Sequence, residues 1–169
     1  MRIRKIFPLF LLPICLGCFS VPDFDNAPEI EFQSITNALR VDEDTGGYKD
    51  SITVSLKFRD GDGDLGYDTW EKDSLEKIGI KTNFLVTIWR KDKGRYVVYE
   101  PLDPNVDMFF RLSKDKPGPI EGVIHYRYQN LHSFYLYPKD TVKFEIAIMD
   151  RAGHISNKVM TDSVIFRPI

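Results

Sequence analysis

The chain has 169 residues, with 23 basic and 25 acidic side chains and a formal net charge of −2. That length suits one domain with an ordinary core, and no basic block interleaves with aromatics, which argues against nucleic acid as a partner. The cysteines, Cys15 and Cys18, both stand near the N-terminus, and His125, His132 and His154 are scattered, so the rest of the chain offers no internal disulfide, thiolate zinc site, cysteine nucleophile or zinc-ligand spacing.

Residues 1–5 (MRIRK) are basic, and Ile6 to Gly17 is apolar but too short to span a bilayer, which takes roughly 20 apolar residues. A basic start, a short apolar stretch and a small residue before a cut describe a secretory signal. Its end, Leu16-Gly17-Cys18, resembles the bacterial lipobox, with Cys15 where that motif usually has leucine. Residues 1–17 are therefore expected to be a lipoprotein signal peptide and Cys18 the lipidated residue. An ordinary signal peptide or a short uncleaved anchor is the alternative. Loss of Arg2, Arg4 and Lys5 with the leader leaves 20 basic against 25 acidic residues, a net charge of −5. Residues 18–28 contain Pro and Asp without periodicity and read as a flexible tether.

From Glu29 onward the period is two, and residues 29–169 read as one β domain. Ile30 and Phe32 alternate with Glu29 and Glu31. Residues 42–50 form a turn, and Ile52, Val54, Leu56 and Phe58 then alternate strictly with polar residues, as a half-buried strand does. A single helical turn is placed at Asp73–Lys77. Phe84–Trp89 and Tyr96–Tyr99 flank a hairpin turn, Val123–Tyr128 is a further strand, and 133–137 a short one. Val142, Phe144, Ile146 and Ile148 repeat the strict alternation, and Val159–Phe166 closes the chain. About seven short strands with almost no helical periodicity predict an all-β fold, an antiparallel immunoglobulin-like β-sandwich without the immunoglobulin disulfide.

The sharpest motif is Asp60-Gly61-Asp62-Gly63-Asp64-Leu65-Gly66. Calcium takes six to eight oxygens at short range, and alternating Asp on a turning, Gly-containing backbone supplies them. Asp68 and Glu71 fall at the ninth and twelfth positions from Asp60, as late EF-hand ligands do, but Leu65 replaces the sixth-position glycine and a strand precedes the loop. A calcium loop on a β scaffold fits better than an EF-hand. Asp60 follows Phe58 by two residues and Asp150 follows Ile148 by two, so each continues the core-facing side of its strand. If those strands lie in facing sheets and end at the same pole, the two carboxylates converge, and a cation between them removes their repulsion. The expected side-chain ligands are Asp60, Asp62, Asp64 and Asp150, then Asp68, with Glu71 the weakest. The competing reading is a solvated Asp-Gly turn, with Asp150 capping its own turn.

The lipobox cysteine with PEIEFQSI, VSLKFRDGDGDLG and FEIAIMDRAGHISN resembles a group of uncharacterised Bacteroidetes lipoproteins over most of the chain after Cys18. The resemblance implies export and a β-sandwich, and no activity. No Gly-x-Ser-x-Gly elbow or other catalytic signature is present, so the chain is not expected to be an enzyme, a carboxylate-dependent hydrolase being the remote alternative. The expected function is a lipid-anchored cell-envelope protein of the outer membrane, periplasmic or surface-exposed. Its domain then serves as a calcium-stabilised interaction or structural part with an envelope protein as partner. Trp89, Tyr96, Tyr99, Tyr126, Tyr128, Tyr135 and Tyr137 offer the alternative of a glycan- or peptide-binding module.

Overall fold

The computed structural model describes residues 22–42, 46–77, 79–99, 108–113, 117–127 and 139–167. The leader, Cys18, the strand expected at 133–137 and Tyr128, Tyr135 and Tyr137 lie outside the described residues. No helix among the described residues is long and apolar enough to cross a membrane.

The strands are β1 (Glu29–Val41), β2 (Tyr48–Asp60), β3 (Phe84–Asp92), β4 (Arg95–Val98), β5 (Ile120–Arg127), β6 (Thr141–Ile148), β7 (Val159–Met160) and β8 (Val164–Ile165). A 3-10 turn over Thr69–Glu71 runs into a short helix, α1 (Lys72–Lys77), where a helical turn was expected. The order β1-β2-β5 makes one antiparallel sheet and β4-β3-β6-β7 the other, with β8 also on β6. The described strands number eight rather than about seven, because 159–166 splits into two short pieces around 161–163. The turn placed at 42–50 is shorter than expected, because β2 already begins at Tyr48.

Alternation explains both long strands. Ile52, Val54, Leu56 and Phe58 of β2 are all buried and share one core cluster with Phe84, Val86 and Ile88 of β3 and Val142, Phe144, Ile146 and Ile148 of β6. The two sheets thus pack face to face through their apolar sides, the arrangement of a sandwich. In β1 the apolar phase changes between Phe32 and Ile35. The pairing to β2 shifts there, from Phe32 opposite Leu56 to Ser34 opposite Ser55, so Gln33 is an unpaired bulge residue. Without that extra residue, Ile35 would face away from the core that Ile30 and Phe32 join, since a slip of one exchanges the faces of a strand.

Side chains complete the ladder where the backbone alone does not. Thr161 Oγ1 accepts from Phe144 N at 3.0 Å while Thr161 N donates to Phe144 O at 2.9 Å. Ser156 makes the same two-way contact with Ile148. Asn157 joins the sheets: its Oδ1 accepts from Ile30 N and its Nδ2 donates to Ile30 O, both at 2.8 Å. An amide matches a peptide edge in both donor and acceptor. Asn157→Ala is therefore expected to lower stability by about 1–3 kcal/mol, the usual cost of stranding such groups. The urea midpoint should fall at unchanged slope, and Asn157→Asp should recover only part of the loss because it restores the acceptor alone.

Candidate metal centre

The site is built where β2 and β6 end. Asp60 is the last residue of β2, opposite Ile120 of β5, and Asp150 lies two residues beyond β6. Both keep the inward phase of their strands and are buried, Asp60 at 0% exposure and Asp150 at 2%. Each sheet thus delivers one carboxylate to the same pole. The third comes from the loop. Asp60 Oδ2 accepts from Asp64 N at 3.1 Å, which folds the chain back on itself.

Two glycines of the motif answer to close approach of distant backbone. Gly63 has φ +73, and a Cβ there would overlap the carbonyl oxygen of Gly118, whose N–H donates to Asp62 O at 3.0 Å. Gly66 has φ +86 and is pressed against the backbone of Phe110 and Arg111. Leu65 between them is fully buried, and its carbonyl accepts from Leu112 N at 3.1 Å. The loop is a packed element, with an apolar plug where an EF-hand has its glycine.

Carboxylate oxygens of Asp60, Asp64 and Asp150 lie within 4.8 Å of one another. Asp64 Oδ2 accepts from Ala152 N at 3.2 Å, and Asp150 accepts from His154 N at 2.7 Å and meets His154 Nδ1 at 2.8 Å. Among the described residues, Asp60 Oδ1, Asp62 Oδ1 and Asp64 Oδ1 are buried with no hydrogen-bond partner. Burial, then the charges of Asp62 and Asp64, push the Asp60 carboxyl up to about 6, against the opposing N–H groups of Asp64 and Gly63. Asp64 is raised by burial and by the charges of Asp150 and Asp62, against the N–H groups of Ala152 and Arg151. His154 is raised by its hydrogen bond to Asp150 and by that group's charge. A largely buried cluster of this kind is relieved by protons, by donors or by a cation. The triad could hold a metal ion, and its donors are all hard oxygens.

Asp62 contributes charge and a buried, unpaired oxygen next to the triad without belonging to it. Asp68 and Glu71, expected as late ligands, are engaged elsewhere. The 3-10 turn brings Glu71 back to accept from Asp68 N at 2.8 Å, and Arg151 forms an ion pair with Glu71. Asp68 meets Arg111 at 3.3 Å. The two arginines hold these carboxylates outside the cluster, while Asn83 fixes the neighbouring chain by bonding Phe109 N at 2.8 Å and Phe109 O at 3.1 Å. Arg151, Arg111, Asn83 and His154 were not singled out from sequence. His154 carried a usable signal, four residues after Asp150 across a turn. The Arg151–Glu71 partners are 80 positions apart and carried none.

Of the seven aromatic residues that offer a sugar platform, Trp89, Tyr96, Tyr99 and Tyr126 are among the described residues, and the three tyrosines are engaged by neighbouring side chains. Tyr126 stacks on Phe84 with centroids 3.9 Å apart, Tyr99 lies under Arg90 at 4.3 Å, and Tyr96 under Lys143 at 4.9 Å. Trp89 keeps its Nε1 buried without a partner among the described residues.

Because folded Asp60 holds its proton up to about 6 while the unfolded chain releases it near 3.8, its contribution to stability is complete below 3.8 and is lost as pH rises through about 6. In chelator, unfolding by urea is expected to become harder as pH falls from 7 to 5, by about 1 kcal/mol from Asp60 alone. Asp60→Asn should reduce that dependence by the share of Asp60 and leave the part that comes from Asp64 and His154, which are raised as well. Loss of stability on acidification over this range, in chelator, would contradict it.

Comparison of the chain with protein-family models, with curated proteins and with solved structures finds no match.

Proposed function

We propose that this chain is a lipid-anchored lipoprotein of the cell envelope, held at the outer membrane through Cys18, and that its β-sandwich is a calcium-stabilised interaction or structural domain. The observation that carries the metal reading is the set of three buried carboxylate oxygens without partners, on Asp60 and Asp64 of the triad and on the neighbouring Asp62, at a pole where the ends of both sheets meet. Calcium suits such a site better than magnesium, because it accepts many oxygens in irregular geometry, whereas magnesium demands an octahedron and retains its waters. Backbone carbonyls complete the shell in this reading. The anchor reading rests on the basic and apolar leader ending at Leu16-Gly17-Cys18. The strand order, three strands facing five with β2 and β6 in opposite sheets, supports an immunoglobulin-like arrangement. Commitment of Tyr96, Tyr99 and Tyr126 to neighbouring side chains favours an interaction or structural part over a glycan platform.

A cation that binds only the folded state stabilises it by mass action, about 2.7 kcal/mol at a hundredfold excess over the dissociation constant. The melting temperature should rise with calcium, rise less with magnesium and fall with chelator, and Asp64→Asn should abolish the calcium response. A melting curve identical in chelator and in millimolar calcium, with no calorimetric heat, would reduce the loop to a packed Asp-Gly turn. Labelled fatty acid should enter the wild-type chain and not Cys18→Ser. An unmodified thiol at Cys18 would end the anchor reading.

A further inference from the structure

The chain enters the domain at the acidic pole. Asp25 O accepts at 2.8 Å from the N–H of Gly61, which stands between Asp60 and Asp62 in the chain, and Arg59 stands over the Phe24 ring at 5.9 Å. A Cβ at Gly61 would lie 2.5 Å from the Phe24 carbonyl oxygen, so the glycine is what admits the strap. If Cys18 carries the lipid, about six residue steps separate it from Phe24, which span at most roughly 20 Å when fully extended. Docking of the strap therefore forces this pole, and not the opposite one with Arg167, to lie close to the bilayer.

The same pole displays apolar side chains on its loops. Trp70 is 76% exposed, Phe110 62%, Ile155 55% and Leu112 40%. Phe110 stacks on Tyr67 with centroids 5.4 Å apart, and Ile155 bridges Met149 beside Asp150. Indole and phenyl groups of this kind are at home at the headgroup level of a membrane. The charges around them are mostly matched: Arg151 by Glu71, Arg111 by Asp68, and Arg59 between Glu29 and Glu121. Among the described residues the excess that remains is negative: one of the two glutamates that share Arg59, with Asp60, Asp62, Asp64 and Asp150, of which Asp150 bonds His154, and this charge would repel anionic headgroups.

We infer that the acidic pole is the face the domain sets against the bilayer, with Trp70, Phe110, Leu112 and Ile155 in the headgroup region. A divalent cation at the triad cancels part of the repelling charge. This rests on the anchor and cation readings above and names the partner surface they imply. Contacts too weak to hold a free protein suffice here, because the lipid makes the encounter intramolecular.

The test uses the full lipidated chain in vesicles of phosphatidylethanolamine and phosphatidylglycerol at roughly 3:1, with bromine on the upper acyl chain as quencher. Subtracting the emission of Trp70→Phe isolates Trp70, an exposed position whose replacement leaves the core intact. With calcium, bromolipid is expected to reduce the Trp70 emission by about twofold or more, as for an interfacial indole. Chelator or Asp64→Asn should restore it. Trp70 emission unaffected by bromolipid, with Cys18 lipidated and calcium bound by calorimetry, overturns the inference alone. Equal quenching in calcium and chelator overturns the part given to the cation. An unlipidated Cys18 overturns the inference together with the anchor.

Discussion

Burial of two carboxylates, with a third half-buried beside them, at one end of the sandwich is the constraint around which the rest of this pole is arranged. Asp60 is fully buried and Asp150 nearly so, each pointed inward by the strand that precedes it, and Asp64 is brought to them by a turn closed on Asp60 itself. Water solvates this charge poorly. The available responses are protonation, donors from the backbone, or a cation. The structure uses the second in part, through the N–H groups of Asp64, Ala152 and His154. It leaves one oxygen on each of Asp60, Asp62 and Asp64 unanswered among the described residues.

The surroundings keep competing cations away from that cluster. Arg151 follows Asp150 directly and could have neutralised the triad, but it pairs with Glu71, itself buried, and so draws the 3-10 turn against the end of β6. Arg111 is committed in the same way to Asp68. The result is two closed ion pairs beside an open anionic site. Charge pairs at partly buried positions contribute little net stability after desolvation. Their effect here is geometric: they set where the helical turn and the 109–112 segment lie.

The loop that supplies Asp60 and Asp64 is also the point where four stretches of chain meet. The N-terminal strap, the 109–112 segment, the Gly118 turn and the end of β6 all bond to residues 60–67 or their side chains. Glycine occurs where those backbones approach too closely for a side chain, and Leu65 fills the interior. Any ion held here would stiffen contacts that reach both sheets and the entry of the chain, so binding and fold stability are linked at this position.

Much of this was legible in the sequence, because alternation is a local signal. The period-two runs from Ile52 to Phe58 and from Val142 to Ile148 set which side of each strand is apolar, and counting two further reached Asp60 and Asp150, the buried members of the triad. The helical turn and the hairpin after Trp89 follow from residues that are neighbours in the chain. The EF-hand spacing misplaced Asp68 and Glu71, since it assumed a loop path that only a preceding helix provides. Tertiary structure alone decided that Asp64 and not Asp62 completes the triad, that Arg151 takes Glu71 80 positions away, and that Asp64 receives Ala152 N from 88 positions away. It also decided that the glycines of the motif make room for strap and loop backbones. Those contacts join segments that meet only after the two sheets have packed, and the spacing of residues along a single segment holds no record of them.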